Sequence, residues 1–282
     1  MSNLEKTKIK VCIVTSSLGK GGAQKSSAVL SILLDSLGCE VHIVSILDTI
    51  DYVYKGTLLN LGVLKNKDDS VFGKVKRFYV FFKYLKSQKF DFIIDSRSRP
   101  TILKQFVINK LLYVNQKVIF IVHSFFLSNY IPENKFVAQF LYNKTFKFVT
   151  VSKAIKSNLV SKYQFNNVHI INNAVSQIPA NSLTDISVPA DNYILFFGRI
   201  EDSIKNLTLL IESYKRSILK DKNIRLVILG EGSDKLKLIQ KVHMMGMKSD
   251  ILFFPYTKTH IRWSEELCFR YSQVNMKGSP QC

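Results

Sequence analysis

Short apolar runs alternate with segments of helical period through the first 170 or so residues. Apolar strand patterns fall near residues 8, 41, 91, 117, 147 and 168. The first, 8–14, carries Ile9, Val11, Ile13 and Val14. It leads through Gly19, Gly21 and Gly22 into a helical pattern of Ala28, Val29, Leu30, Ile32, Leu33, Leu34 and Leu37, which Gly38 is placed to cap. Strands regularly followed by helices predict a doubly wound α/β domain. Residues 176–192 are polar, contain Pro179 and Pro189 and lack periodicity, so they read as a linker. This predicts a first domain over 1–178 and a second from 190. There the run 194–197, the helical set Leu207, Leu209, Leu210, Ile211 and Tyr214, and the runs 224–229 and 251–254 repeat the pattern up to about residue 258. Residues 259–282 have neither a helical nor a strand period.

Composition narrows the class. The chain has 282 residues, 46% of them hydrophobic, enough for two cores. It opens polar and has no 18-residue apolar run, so secretion and membrane spanning are not expected. Cys12, Cys39, Cys268 and Cys282 lack metal-ligand spacing and read as reduced thiols in a cytoplasmic protein, with no metal site. The net charge of +19 calls for a partner or surface. Its densest basic stretch, 74–89, sets Val71, Phe72, Val75, Phe78, Phe82 and Leu85 on one helical face, with Lys74, Lys76, Arg77, Lys83 and Lys86 elsewhere. Such a helix either lies on an anionic bilayer or packs on the sheet beneath a solvated lysine face. Packing is favoured for the helix, with membrane attraction kept for the whole domain. No nucleic-acid motif accompanies the basic residues, so nucleic acid is not an expected partner.

The chemistry concentrates at predicted strand ends, where open α/β sheets hold their ligands. One strand ends in Gly198 and Arg199, Lys205 and Asn206 open the next helix, and the following strand ends in Gly230, Glu231 and Gly232. In the first domain, the glycine turn through Gly21 and Gly22 offers free N–H groups at a helix start, as a phosphate site does, although it is not a Walker loop. His123 closes the strand of 117–122. Arg97 and Arg99 follow the strand of 90–94, where they either receive an acceptor phosphate or serve the surface. Asn173 reads as a turn residue first and a ligand second.

Residues 194–232 resemble the donor-binding half of the group 1 family of retaining glycosyltransferases: a strand, G-R, a spacer, K-N, a helix, a strand and G-x-G. The run G-K-G-G-A-Q resembles the family's first βα loop, and His123, Ser124 and Phe125 its H-S-x-F element. The resemblance implies a GT-B fold of two Rossmann-like domains. It also implies transfer of a sugar from a nucleotide-diphosphate donor to a glycan or lipid-linked glycan hydroxyl, with retention of configuration. The catalytic set is then Arg199 and Lys205 on the diphosphate in place of a divalent ion, with His123 near the donor sugar. Gly21, Gly22, Gly198, Asn206, Gly230, Glu231 and Gly232 would border the donor. No cofactor is implied, and the setting is polysaccharide synthesis at the cytoplasmic face of a membrane. The competing classes are a non-catalytic nucleotide-binding remnant and a basic polyanion-binding module.

The resemblance breaks after Tyr256. Family members continue to E-G-x-P and a second glutamate, whereas this chain ends in residues of no family pattern. Codons for residues 272–282, read two nucleotides later, permit S-S-K-Y-E-G-F-P; the glutamate is forced by Met276 and Lys277. Codons for 259–270, read one nucleotide later, permit another family-like string. The tail is therefore expected to be out of frame, the second domain incomplete and the product weak or inactive.

Overall fold

The computed structural model describes residues 8–19, 21–174 and 192–255. The chain divides into two compact units, Met1–Ser176 and Gln177–Cys282. Residues 175–191, which include all of the expected linker except Asn192, and the tail from Tyr256 onward lie outside the described residues.

In the first unit, β1 (Lys10–Thr15), α1 (Gly22–Ser36), β2 (Glu40–Ser45), β3 (Thr57–Asn60), α2 (Leu61–Lys67) and α3 (Val71–Gln88) precede β4 (Phe92–Asp95). Then come α4 (Ile102–Val107), which runs into a π-helical turn at Ile108–Leu112, β5 (Val118–Val122), α5 (Lys135–Tyr142), β6 (Lys147–Thr150), α6 (Lys153–Tyr163) and β7 (Val168–Ile170). The strands form one parallel sheet in the order β3-β2-β1-β4-β5-β6-β7. Strand order therefore reverses between β1 and β4, the position at which doubly wound sheets open a crevice.

Near-continuous apolar runs form these strands because helices and neighbouring strands cover them; β1 and β2 each bury their last five residues. Under one face of the sheet Phe81 and Leu85 of α3, Leu141 and Tyr142 of α5, and Leu159 and Tyr163 of α6 form the core. Leu159 is fully buried, and its removal to alanine costs about 2–5 kcal/mol. Side-chain caps start the helices: Ser70, Asn134 and Ser152 accept from Gly73 N, Val137 N and Ile155 N.

Two sequence expectations change. The strand β3 has no counterpart among the anticipated strands, since four residues, TLLN, carry too little period. Its one sign is Gly56 (φ 101°), where any Cβ would overlap the carbonyl of Val41. On α3 the buried face runs through Phe81 and Leu85, flanked by the partly buried Phe78 and Phe82. Val71, Phe72 and Val75, expected on that face, are 72%, 86% and 63% exposed. They belong to the first turns, where only Gly73 is buried; the helix meets the core with its second half.

The second unit contains β8 (Tyr193–Phe197), α7 (Asp202–Lys205), α8 (Leu207–Arg216), β9 (Arg225–Leu229), α9 (Lys235–Met244) and β10 (Ile251–Phe254), with the parallel order β10-β9-β8. Leu207, Leu210, Ile211 and Tyr214, at i, i+3, i+4 and i+7, pack with Leu226, Ile228, Leu238 and Val242. Leu209 faces outward instead, 44% exposed. Among the described residues no helix is long and apolar enough to cross a membrane.

Candidate active site

Two loops at the carboxyl ends of β8 and β9 build the site of the second unit. Gly198 N donates to Leu229 O (3.0 Å), Ile200 N to Glu231 O (2.9 Å) and Gly230 N to Phe254 O (3.0 Å). The loops touch so closely that a Cβ at 230 would overlap the carbonyl oxygen of Gly198, and one at 232 that of Ile200. The two glycines are thus required by contact between loops within the unit, whatever else they border. Glu231 between them pairs with Lys235 at 2.8 Å.

Ile200 is fully buried and anchors its loop, while Arg199 beside it points outward, its side chain 60% exposed and 3.3 Å from Glu201. An exposed pair of that kind is worth at most about 1 kcal/mol and exchanges readily for a stronger anion. The single turn of α7 then carries Lys205 at its last position. Burial lowers the pKa of this ammonium, and the nearby charge of Arg199 lowers it further. Asn206, in the left-handed region (φ 49°), turns the chain into α8 and accepts from Leu209 N (3.4 Å).

Sequence reading missed what holds α7. Asp202 accepts from both the backbone N–H and the hydroxyl of Thr208, each at 2.7 Å, and its own N–H donates to Asp234 Oδ2 at 2.7 Å. Asp234 N donates back to Ile200 O (3.3 Å). Burial opposes ionisation of Asp202, but the Thr208 bonds win and its pKa lies below the ordinary value. A four-residue helix has almost no stability of its own. The positions of Arg199 and Lys205 therefore depend on this carboxylate clamp. The available sequence signal was the acidic pair Glu201 and Asp202 with a threonine six residues after Asp202.

In the first unit the β1–α1 turn is braced from the side. Leu18 N donates to Thr49 O, Asp51 N and Tyr52 N donate to Leu18 O, and Gly21 N donates to the hydroxyl of Tyr52 (3.1 Å). A Cβ at Gly22 would meet nothing within 4 Å, so the turn is open there. Ser26 of α1 donates to Asn173 Oδ1 (3.0 Å), fixing a side chain beyond β7. Beside the topological switch, Ser27 and Ser96 share a hydrogen bond of 2.7 Å.

His123 follows β5 directly. Both ring nitrogens are buried without a hydrogen-bond partner among the described residues, and burial pushes the pKa down to about 4. At neutral pH this is an uncharged imidazole. It can both donate to and accept from a hydroxyl, and buried polar atoms left in this state are uncommon.

Arg97 and Arg99 are not surface groups. Asp95, fully buried at the end of β4, accepts from Arg97 (2.6 and 3.0 Å), from Arg99 Nη1 (3.1 Å) and from Tyr113 OH (2.8 Å). Tyr142 OH lies 3.4 Å from Arg99 Nε. Burial would raise the Asp95 pKa, but the two guanidiniums outweigh it and hold it at about 2. The cluster is an internal brace, with both arginines turned on their own carboxylate. Among the described residues no group of three His, Cys, Asp or Glu stands close enough to hold a metal ion.

Residues 186–263 match the family model of the glycosyl transferases group 1. Two of the similar solved structures are the lipopolysaccharide outer core galactosyltransferase WaaB, apo form (TM-score 0.54, 16% identity, 92% of this chain and 71% of that one), and S. aureus TarM in complex with fondaparinux, α-GlcNAc-glycerol and UDP (0.67, 12%, 93% and 80%). Another is an α-glucosyltransferase in complex with UDP-glucose and DNA containing an abasic site (0.55, 12%, 92% and 70%). No curated protein sequence matches the chain. The fold is that of the GT-B glycosyltransferases, with two Rossmann-like α/β units.

Proposed function

We propose that the chain derives from an enzyme moving a sugar from a nucleotide diphosphate to a hydroxyl of a growing, lipid-linked glycan, with retention of anomeric configuration. The observation that carries this is the pair Arg199 and Lys205 on one βα turn inside the matched segment, where burial and the charge of Arg199 both disfavour the charge of Lys205. Charge of opposite sign arriving between them relieves that repulsion. As the bond from the anomeric carbon to the diphosphate oxygen breaks, negative charge builds on the leaving group, and the two cations stabilise it without a divalent ion. The acceptor hydroxyl forms the new bond and passes its proton to the departing diphosphate oxygen. Within the first unit, neutral His123 is suited to a sugar hydroxyl, and the turn at Gly21 and Gly22 is open at Gly22. The solved complexes with UDP and UDP-glucose support the donor class, and the name of the lipopolysaccharide transferase supports a glycan acceptor.

A second observation favours an anionic membrane as partner, at the cytoplasmic face. Phe72, Val75 and Tyr79 form an exposed apolar stripe on α3 among Lys74, Lys76 and Lys83. Each basic residue near such a surface contributes about 1 kcal/mol. Binding to anionic but not neutral vesicles, weakening with salt, is the expected result; equal partition to both argues for a merely solvated face.

The out-of-frame reading of 259–282 stands on the codons, and resequencing past codon 258 tests it. In a frame-restored chain, Arg199→Ala or Lys205→Ala should lower turnover about a hundredfold, some 3 kcal/mol. Near-normal turnover in both removes the assignment. Nucleotide binding without turnover in that chain favours a non-catalytic remnant, and salt-sensitive nucleic-acid binding indifferent to sugar nucleotides favours a polyanion module.

A further inference from the structure

A pocket of about 240 Å³ opens in the first unit at the amino ends of β5 and β6, the edge of the sheet opposite His123. It is smaller than the ~300–1,000 Å³ of sites for drug-sized ligands, so it selects a small occupant. Val118, Phe120 and Leu141 line its floor, and Lys110, Asn115, Gln116 and Lys144 contribute to its polar wall. The π-helical turn Ile108–Leu112 supplies Lys110; turns of this kind recur at functional sites.

The charges in this pocket are one-sided. Lys110 Nζ donates to Phe140 O (2.7 Å) and Asn143 Oδ1 (3.2 Å) and sits 4.3 Å from the Phe140 ring centroid, so it is held in place by neutral groups. Among the described residues no carboxylate pairs with Lys110 or Lys144. Burial lowers the pKa of Lys110, and the charge of Lys144 lowers it further, the mark of two cations converging without an anion. A phosphomonoester carries about −1.5 to −2 at neutral pH and matches two ammoniums better than a carboxylate does. The aromatic floor is nearly closed, with Phe120 only 1% exposed, so it offers no face for a flat ring to stack on. The amides of Asn115 and Gln116 instead suit hydroxyl groups, which both donate and accept.

We propose that this pocket binds a small phosphorylated polyol of the sugar-phosphate class, its phosphate between Lys110 and Lys144 and its hydroxyls on Asn115 and Gln116. The site is independent of the Arg199–Lys205 reading, and the test separates the two. Glucose 6-phosphate, glucose and inorganic phosphate are titrated calorimetrically into the whole chain and into its Arg199→Ala/Lys205→Ala double variant. A saturable site for glucose 6-phosphate is expected in both, with glucose and phosphate each at least tenfold weaker. Lys144 is exposed, so Lys144→Gln should weaken binding at least tenfold while leaving the thermal midpoint unchanged. Gln116→Ala should weaken glucose 6-phosphate but not phosphate. Absence of saturable binding in the double variant, or indifference to Lys144→Gln, overturns the site. Phosphate binding as tightly as glucose 6-phosphate overturns the ligand class.

Discussion

Replacing Asp202 by alanine tests how the cations of the second unit are positioned. The carboxylate accepts two hydrogen bonds from Thr208, both at 2.7 Å. Bonds to a charged group are worth roughly 1.5–3 kcal/mol each when shielded. Asp202 is partly exposed, so water replaces much of that value and about 1 kcal/mol per bond is the better figure. Asp202→Ala should therefore destabilise the second unit by about 2 kcal/mol. It should also free Lys205, three residues along the same short turn, and lower nucleoside-diphosphate affinity about tenfold, or ~1.4 kcal/mol. Thr208→Val removes one of the two bonds and should show about half of each effect. Urea unfolding and calorimetric titration with a panel of nucleoside diphosphates read both quantities. Stability within ~0.5 kcal/mol of the parent together with unchanged affinity would refute the clamp.

Acid should weaken the first unit through Asp95. Its pKa is depressed from 3.8 to about 2, so its contribution of about 2 kcal/mol is fully present above the unfolded value and lost as pH falls through 2; a urea series across that window reads it. Asp95→Asn leaves two buried guanidiniums facing a neutral amide and should cost about 3–5 kcal/mol at neutral pH; a loss under 1 kcal/mol would mean water already serves them. His123, depressed from 6.5 to about 4, likewise stabilises above pH 6.5 and loses that contribution between 6.5 and 4; a ring titration by NMR with a midpoint near 6.5 would contradict its burial. Gly230→Ala must push the β8 and β9 loops apart, and a variant as stable as the parent would show that they do not touch.

Most of the sheet was legible because buried parallel strands are continuous apolar runs; β3 was not, being four residues at an edge. The loops of the second unit were legible as a pattern, yet the reason for two of the glycines is a contact between segments some 30 residues apart, which no local reading supplies. Arg97 and Arg99 misled for a similar reason. Their partner, Asp95, lies two and four residues before them in sequence, and only its complete burial turns three charges into a brace. The clamp of Asp202, Thr208 and Asp234 joins the first residue of α7, the first turn of α8 and the N-cap of α9. Its members are ordinary surface residue types, so only geometry singles them out.

The most direct test of the central claim is equilibrium binding of nucleoside diphosphates to the chain, with and without Arg199→Ala/Lys205→Ala. If these cations hold the diphosphate, at least one nucleoside diphosphate should bind saturably, weaken as salt rises and lose at least a hundredfold in affinity in the double variant. Binding of equal strength in the parent and the double variant would contradict the assignment of Arg199 and Lys205.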